Sequence, residues 1–188
     1  FNKKKLNILD IENKNKYTNV TDSLNTAYHL TKNNIFIGIF TLPLNKKDIN
    51  TFVDKKFVDQ TTFFSKIEKK RDTNMVFIFN NKYFVPLTTH VELKKVYKYF
   101  IKKKEIINKI ISFKKTLIQD FKIKNPKFIL AGINPHAGEN GLISNDENKY
   151  LLPIIRILKN NNIDITGPIS GDAILNKFNI KKYDAFLF

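Results

Sequence analysis

Two histidines carry the strongest chemical signal in this 188-residue sequence. His90 follows Leu87-Thr88-Thr89 and His136 follows Ile133-Asn134-Pro135, each in a loop rich in hydroxyl, amide or glycine groups. Neutral imidazole is the commonest transition-metal ligand, and a catalytic Zn²⁺ takes three protein donors while keeping one position open. His90 and His136 thus suit a shared metal or anion site that is one donor short; the third is an Asp or Glu of this chain or lies beyond Phe188. His29 falls inside a helical pattern and reads as a solvated or core-edge side chain. The stretch Ala137-Gly138-Glu139-Asn140-Gly141 has the small residues and positive-φ tolerance that let backbone N–H groups approach a phosphate or carboxylate. It is neither a G-x-G-x-x-G fingerprint nor a phosphate-binding G-x-x-x-x-G-K loop. With no Cys and no nucleophile motif, covalent acyl transfer has no support.

These residues need elements to hold them. Residues 35–40 (Ile-Phe-Ile-Gly-Ile-Phe) and 128–133 are apolar on both faces, the pattern of buried parallel strands. Residues 75–79 and 83–88 read as strands around an Asn80-Asn81 turn, and short strands are expected at 6–11, 163–165 and 184–188. Helices are expected from a Thr21-Asp22-Ser23 cap through Leu24, Ala27, Tyr28 and Thr31, and over 46–52 and 61–70. A longer one spans 91–121, with Ile106, Ile110, Phe113, Leu117 and Phe121 on one stripe. Another covers 146–160, kinked at Pro153 unless that residue sits in the first turn; Gly167-Pro168 reads as a turn. The alternation predicts an α/β fold, a mostly parallel sheet flanked by helices, with His90 and His136 just past carboxyl ends of strands, where such sheets put their ligands. No linker divides residues 1–188, which read as one partial region ending within an apolar strand.

The hydrophobic fraction of 42% excludes a disordered basic tail, and 6 Gly with no Cys exclude collagen-like and disulfide-stapled classes. No apolar run reaches a membrane span and no signal peptide is recognisable, so a soluble cytoplasmic protein is expected. The net charge is +16, yet only Arg71 and Arg156 are arginines, and the lysines are scattered through a chain rich in Asn, Ile and Phe. Codon bias explains that excess more simply than a nucleic-acid surface does, although the field still attracts anionic metabolites.

Asn134-Pro135-His136-Ala137-Gly138-Glu139-Asn140-Gly141, after Ala131-Gly132-Ile133, resembles the N-P-H-A-G-E/D-x-G block of the 4-hydroxythreonine-4-phosphate dehydrogenase family. Thr88-Thr89-His90-Val91-Glu92-Leu93 resembles its T-T-H-I-P-L block, and Thr41-Leu42-Pro43-Leu44-Asn45-Lys46 its T-A-P-I-N-K. Gly167-Pro168 with Gly171-Asp172 is similar to its G-P-x-P-A-D. The blocks keep the family's order over nearly the whole chain.

The resemblance implies an isocitrate/isopropylmalate dehydrogenase-like fold, here an incomplete two-lobed subunit, and a homodimer with the active site at its interface. It implies NAD and a divalent metal (Zn, Mg or Co), with His90 and His136 as metal ligands and a third His in a Y-H-D-Q-G block about three positions past Phe188. The substrate would be phosphorylated: 4-phosphooxy-threonine is oxidised to a 3-oxo acid that loses CO₂ to give 3-amino-2-oxopropyl phosphate, in pyridoxine phosphate (vitamin B6) biosynthesis. The family's P-G-H-T-E block aligns with Val58-Asp59-Gln60-Thr61-Thr62, making Gln60 and Thr61 the substrate contacts, with Gln60 where the family has His. Gln donates a hydrogen bond but carries no proton charge near neutral pH. Together with Glu92 in place of the family's Pro, this leaves a decayed, non-catalytic, anion-binding or dimerising homologue as the alternative.

Overall fold

The sheet is built by sequence runs that match its pleat. In the computed structural model, which describes residues 8–11, 18–55, 57–70 and 72–188, the chain forms two compact units, Phe1–Arg71 and Asp72–Phe188. The second unit holds a five-stranded sheet of β1 (Phe77–Phe79), β2 (Lys82–Val85), β3 (Lys127–Ala131), β4 (Asp164–Ile169) and β5 (Ala185–Leu187), in the order β1-β2-β5-β3-β4. Only the β1–β2 hairpin is antiparallel. Its turn uses Asn80 and Asn81 at φ 48° and 58°, the left-handed pair that a two-residue hairpin requires and that Asn tolerates.

Side chains alternate between two cores. Tyr83, Val85, Phe128, Leu130, Ala185 and Leu187 face α5 (Lys103–Gln119) and α6 (Leu152–Asn160), which bury Ile106, Ile110, Phe113, Leu117, Ile154 and Leu158. Ile129 and Phe186 face the other way, with Ile174 of α7 (Gly171–Ile174) and Tyr183, which follows α8 (Lys177–Lys182). Because β3 and β5 are covered on both faces, they read as continuous apolar runs rather than alternating ones. Tyr83 meets Phe121 and Phe113 edge-on at 4.9 and 6.3 Å, and Phe84 stacks on Phe186 at 5.2 Å.

The first unit contains α1 (Thr18–Lys32), α2 (Lys46–Phe52) and α3 (Gln60–Ile67). Asn45 caps α2 by accepting from the Asp48 N–H, and buried Asp59 caps α3 by accepting from the Thr62 N–H at 2.6 Å. The Tyr28 hydroxyl and the Lys32 ammonium both donate to Glu68 Oε1 at 2.7 Å.

Several expected elements take another form. Residues 35–40 form no strand: no pairing partner reaches them among the described residues, and Ile37 and Phe40 are fully or almost fully exposed. Residues 8–11 are irregular, and the rest of the expected strand at 6–11 lies outside the described residues. The expected helix 91–121 opens as a 3-10 turn (Leu93–Lys95), runs through α4 (Val96–Ile101) and breaks at Lys102 (φ −79°, ψ 56°) before α5. A straight helix would set Phe100 about 100° out of phase with the Ile106–Ile110–Phe113–Leu117 stripe; the break lets all five join one core. Pro153 lies in the first turn of α6, preceded by a π-helical turn (Glu147–Leu151), so it needs no kink within the helix. Gly167-Pro168 is not a turn: it lies inside β4 with a cis peptide bond, where Gly167 runs against the Leu130 carbonyl.

Candidate functional site

The carboxyl ends of β2, β3, β4 and β5 emerge along one edge of the sheet, and β5 lies between β2 and β3. The loop after β2 carries His90 and the loop after β3 carries His136, so the two histidines flank the exit of β5. At the usual strand spacing their loops are rooted roughly 10 Å apart. Both imidazole-bearing residues are exposed.

On the His90 side, the ladder continues past β2: Leu87 N–H donates to the Phe188 carbonyl at 2.7 Å, and Phe188 N–H to the Val85 carbonyl at 3.0 Å. The half-buried Lys109 ammonium on α5 donates to the Leu87 carbonyl at 3.2 Å, fixing the base of Thr88-Thr89-His90. Burial pushes the Lys109 ammonium down from its ordinary pKa, against the charges of Glu105 and Asp72. His90 takes φ 54°, a left-handed setting uncommon for a side-chain-bearing residue. Glu92, in the position of the family's Pro, pairs with Lys94 and Lys95 at 2.6 and 2.8 Å, which hold its carboxyl below the usual range.

On the His136 side, the Asn134 side chain accepts the His136 N–H at 3.0 Å and its carbonyl accepts the Ala137 N–H at 2.8 Å, closing a tight turn around Pro135. Gly132 is required by contact: a Cβ there would lie 2.8 Å from Ala137 Cα. Ala137, Gly138 and Glu139 then run left-handed at φ 50°, 69° and 44°. The Gly171 N–H donates to the Pro135 carbonyl at 2.7 Å, tying the loop after β4 to the same turn. A cleft of about 560 Å³ opens between them, lined by His136, Glu139, Ser144, Gly167, Pro168 and Ser170 among others. The Asp172 carboxyl is held low by the Ser170 hydroxyl first, then by nearby backbone N–H groups and the charge of His136.

Gln60 and Thr61 open α3 in the first unit. The Gln60 amide donates to Thr41 Oγ1 and to the Leu42 carbonyl, both at a long 3.4 Å, so two of the motif blocks meet in that unit. His29 is exposed on α1 with an edge contact to Tyr28, as a solvated histidine should be. Sequence reasoning did not single out Glu147 or Lys109, and it reached Asp172 only through the motif that resembles G-P-x-P-A-D; an acid at the head of an apolar helix, and a lysine beside an otherwise apolar stripe, look like ordinary surface charges until burial is known.

In kind, two imidazoles fit a divalent cation such as Zn²⁺ or Co²⁺. In number they fall short, because no group of three His, Cys, Asp or Glu able to hold a metal ion occurs among the described residues. No helix among the described residues is long and apolar enough to cross a membrane.

Comparison with known proteins gives the family and the fold. The 4-hydroxythreonine-4-phosphate dehydrogenase of Wigglesworthia glossinidia brevipalpis is 31% identical over 195 residues, covering 98% of this chain and 58% of the relative. That of Sulfurihydrogenibium sp. is 30% identical over 150 residues, covering 80% of this chain and 45% of the relative. The chain spans about half the length of the curated relatives it matches. The crystal structure of the Klebsiella pneumoniae enzyme of that name superposes with a TM-score of 0.75 at 23% identity, over 88% of this chain and 50% of that one. It shares the mostly parallel, helix-flanked sheet of the isocitrate/isopropylmalate dehydrogenase-like fold. The family model for the pyridoxal phosphate biosynthetic protein PdxA matches residues 4–188, and with nearly every residue inside that match the chain belongs to the PdxA family.

Proposed function

We propose that the protein is an NAD-dependent, divalent-metal-dependent dehydrogenase that oxidises 4-phosphooxy-threonine to a 3-oxo acid, which decarboxylates to 3-amino-2-oxopropyl phosphate in pyridoxine phosphate biosynthesis. The observation that carries this reading is the placement of His90 and His136 on loops either side of β5, at the edge of the sheet where α/β folds bind ligands. In this reading both imidazoles are metal ligands, and Gln60 and Thr61, at the open start of α3, hydrogen-bond the substrate. A bound divalent ion supplies Lewis-acid polarisation of the substrate hydroxyl. The turn around Pro135 aims His136, Lys109 steadies the His90 loop, and the +16 charge draws a phosphorylated substrate inward. The working protein in this reading is a cytoplasmic homodimer with its active site at the interface.

Gln60 favours a second reading, a non-catalytic homologue, because an amide cannot supply the charge or proton of the family's His. The test is NADH formation by the full-length protein given 4-phosphooxy-threonine, NAD and Zn²⁺, Co²⁺ or Mg²⁺. Metal-dependent turnover that disappears in His90→Ala and His136→Ala supports the dehydrogenase. No turnover from a folded protein supports the second reading.

A further inference from the structure

Glu147 is a carboxylate at 4% exposure, with no ion-pair partner among the described residues. A buried charge in that position persists only when hydrogen bonds replace the water it has lost. Both of its oxygens face the turn that carries His136. Oε1 accepts the Asn134 N–H at 2.9 Å, and Oε2 accepts the Ser144 hydroxyl at 3.4 Å. Asn134 in turn holds the His136 N–H on its side chain. A chain of two hydrogen bonds therefore runs from the buried carboxylate to the backbone of the candidate ligand. The loop is also moulded around the carboxylate, since a Cβ on Gly138 would lie 2.5 Å from Oε2. The left-handed run Ala137-Gly138-Glu139 is the kind of backbone that stays put only when its surroundings over-determine it.

We propose that Glu147 is the positioning residue for His136: its carboxylate pins the Asn134-Pro135-His136 turn and holds the imidazole ready at the carboxyl edge of the sheet for a divalent cation. The cation rests on the functional reading above; the ordering of the turn does not. Glu147 sits on the π-helical turn before α6, a local widening of the helix that brings this side chain under the loop.

The experiment uses the full-length protein and three variants, Glu147→Ala, Glu147→Gln and Asn134→Ala, with two readouts. Native-state hydrogen exchange follows the amides of residues 134, 136 and 137, with those of 128–130 in β3 as the control for an intact fold. Spectroscopic titration with Co²⁺ follows the metal site. In Glu147→Ala the three loop amides exchange at least about tenfold faster while β3 stays protected, and Co²⁺ affinity falls about 10- to 100-fold, as for other groups that orient a ligand. Glu147→Gln, which keeps an oxygen for the Asn134 N–H, recovers most of both. Asn134→Ala loosens residue 136 while its own backbone N–H stays protected, and it serves as the test should Glu147→Ala fail to fold. Unchanged loop exchange in Glu147→Ala, or equal losses in the Gln and Ala variants, overturns the proposal. Wild-type Co²⁺ binding that ignores His136→Ala defeats the metal reading instead, and the exchange data then decide the positioning role alone.

Discussion

Gly138→Ala tests the local packing of the His136 loop with a single methyl group. Two effects add. At φ 69° an alanine sits in the left-handed region, which costs about 1 kcal/mol relative to glycine. Its Cβ would also lie 2.5 Å from Glu147 Oε2 and 2.6 Å from the Ser144 carbonyl oxygen. Nothing there is the loose end of an exposed chain: Glu147 is buried and holds the Asn134 N–H. Making room stretches that bond and leaves a buried carboxylate underserved, a loss of about 1–3 kcal/mol. The sum is about 3 kcal/mol, a large share of the 5–15 kcal/mol that typically separates folded from unfolded domains. Gly141→Ala is the control, since Gly141 also has positive φ, 101°, but nothing within 4 Å of the added atom; it should lose about 1 kcal/mol. Urea unfolding of both variants measures the difference. In a double-mutant cycle, Glu147→Ala should remove part of the Gly138→Ala penalty, with a coupling of about 1–2 kcal/mol. If Gly138→Ala loses no more than Gly141→Ala, the tight seat of Glu147 under the loop is refuted.

Lys109→Met keeps the aliphatic volume but removes the donor to the Leu87 carbonyl; global stability should change by less than about 1 kcal/mol, because the desolvated ammonium is also lost, while the amides of residues 88–90 exchange faster. The Lys32 ammonium and Tyr28 hydroxyl hold the Glu68 carboxyl below its ordinary range, so their contribution is present above the unfolded carboxylate pKa and lost as pH falls through the lowered folded value. The Tyr28 phenol is raised chiefly by its bond to Glu68, and Glu68→Gln should return its ultraviolet titration toward lower pH. Phe186→Ala opens a cavity in the fully buried β5 and should cost about 3–5 kcal/mol by urea unfolding. Gln60→His should raise turnover and add to the pH–rate profile an ionisation in the imidazole range, near pH ~6.5.

The sheet was largely readable from sequence because its signals are local: Asn80-Asn81 demands a hairpin, and the apolar run of β3 demands cover on both faces. Residues 35–40 carry the same local signal as β3 without pairing among the described residues, because a strand is completed by its neighbours and not by its own composition. The break at Lys102 was hidden for a similar reason, since lysines continue smoothly across it and only the burial of Phe100 reveals the change of phase. His90 and His136 stand out in the sequence as candidate ligands because imidazoles after strands are rare and their motifs distinctive. Glu147 was not, because its role depends on burial and on an Asn134 N–H thirteen residues away.

The proposed function requires that His90 and His136 hold one metal ion. A Co²⁺ titration of the full-length protein beside His90→Ala and His136→Ala tests this most directly. One ion should bind per chain, with affinity weakened about 10-fold or more by either substitution. Equal binding by all three proteins would contradict it.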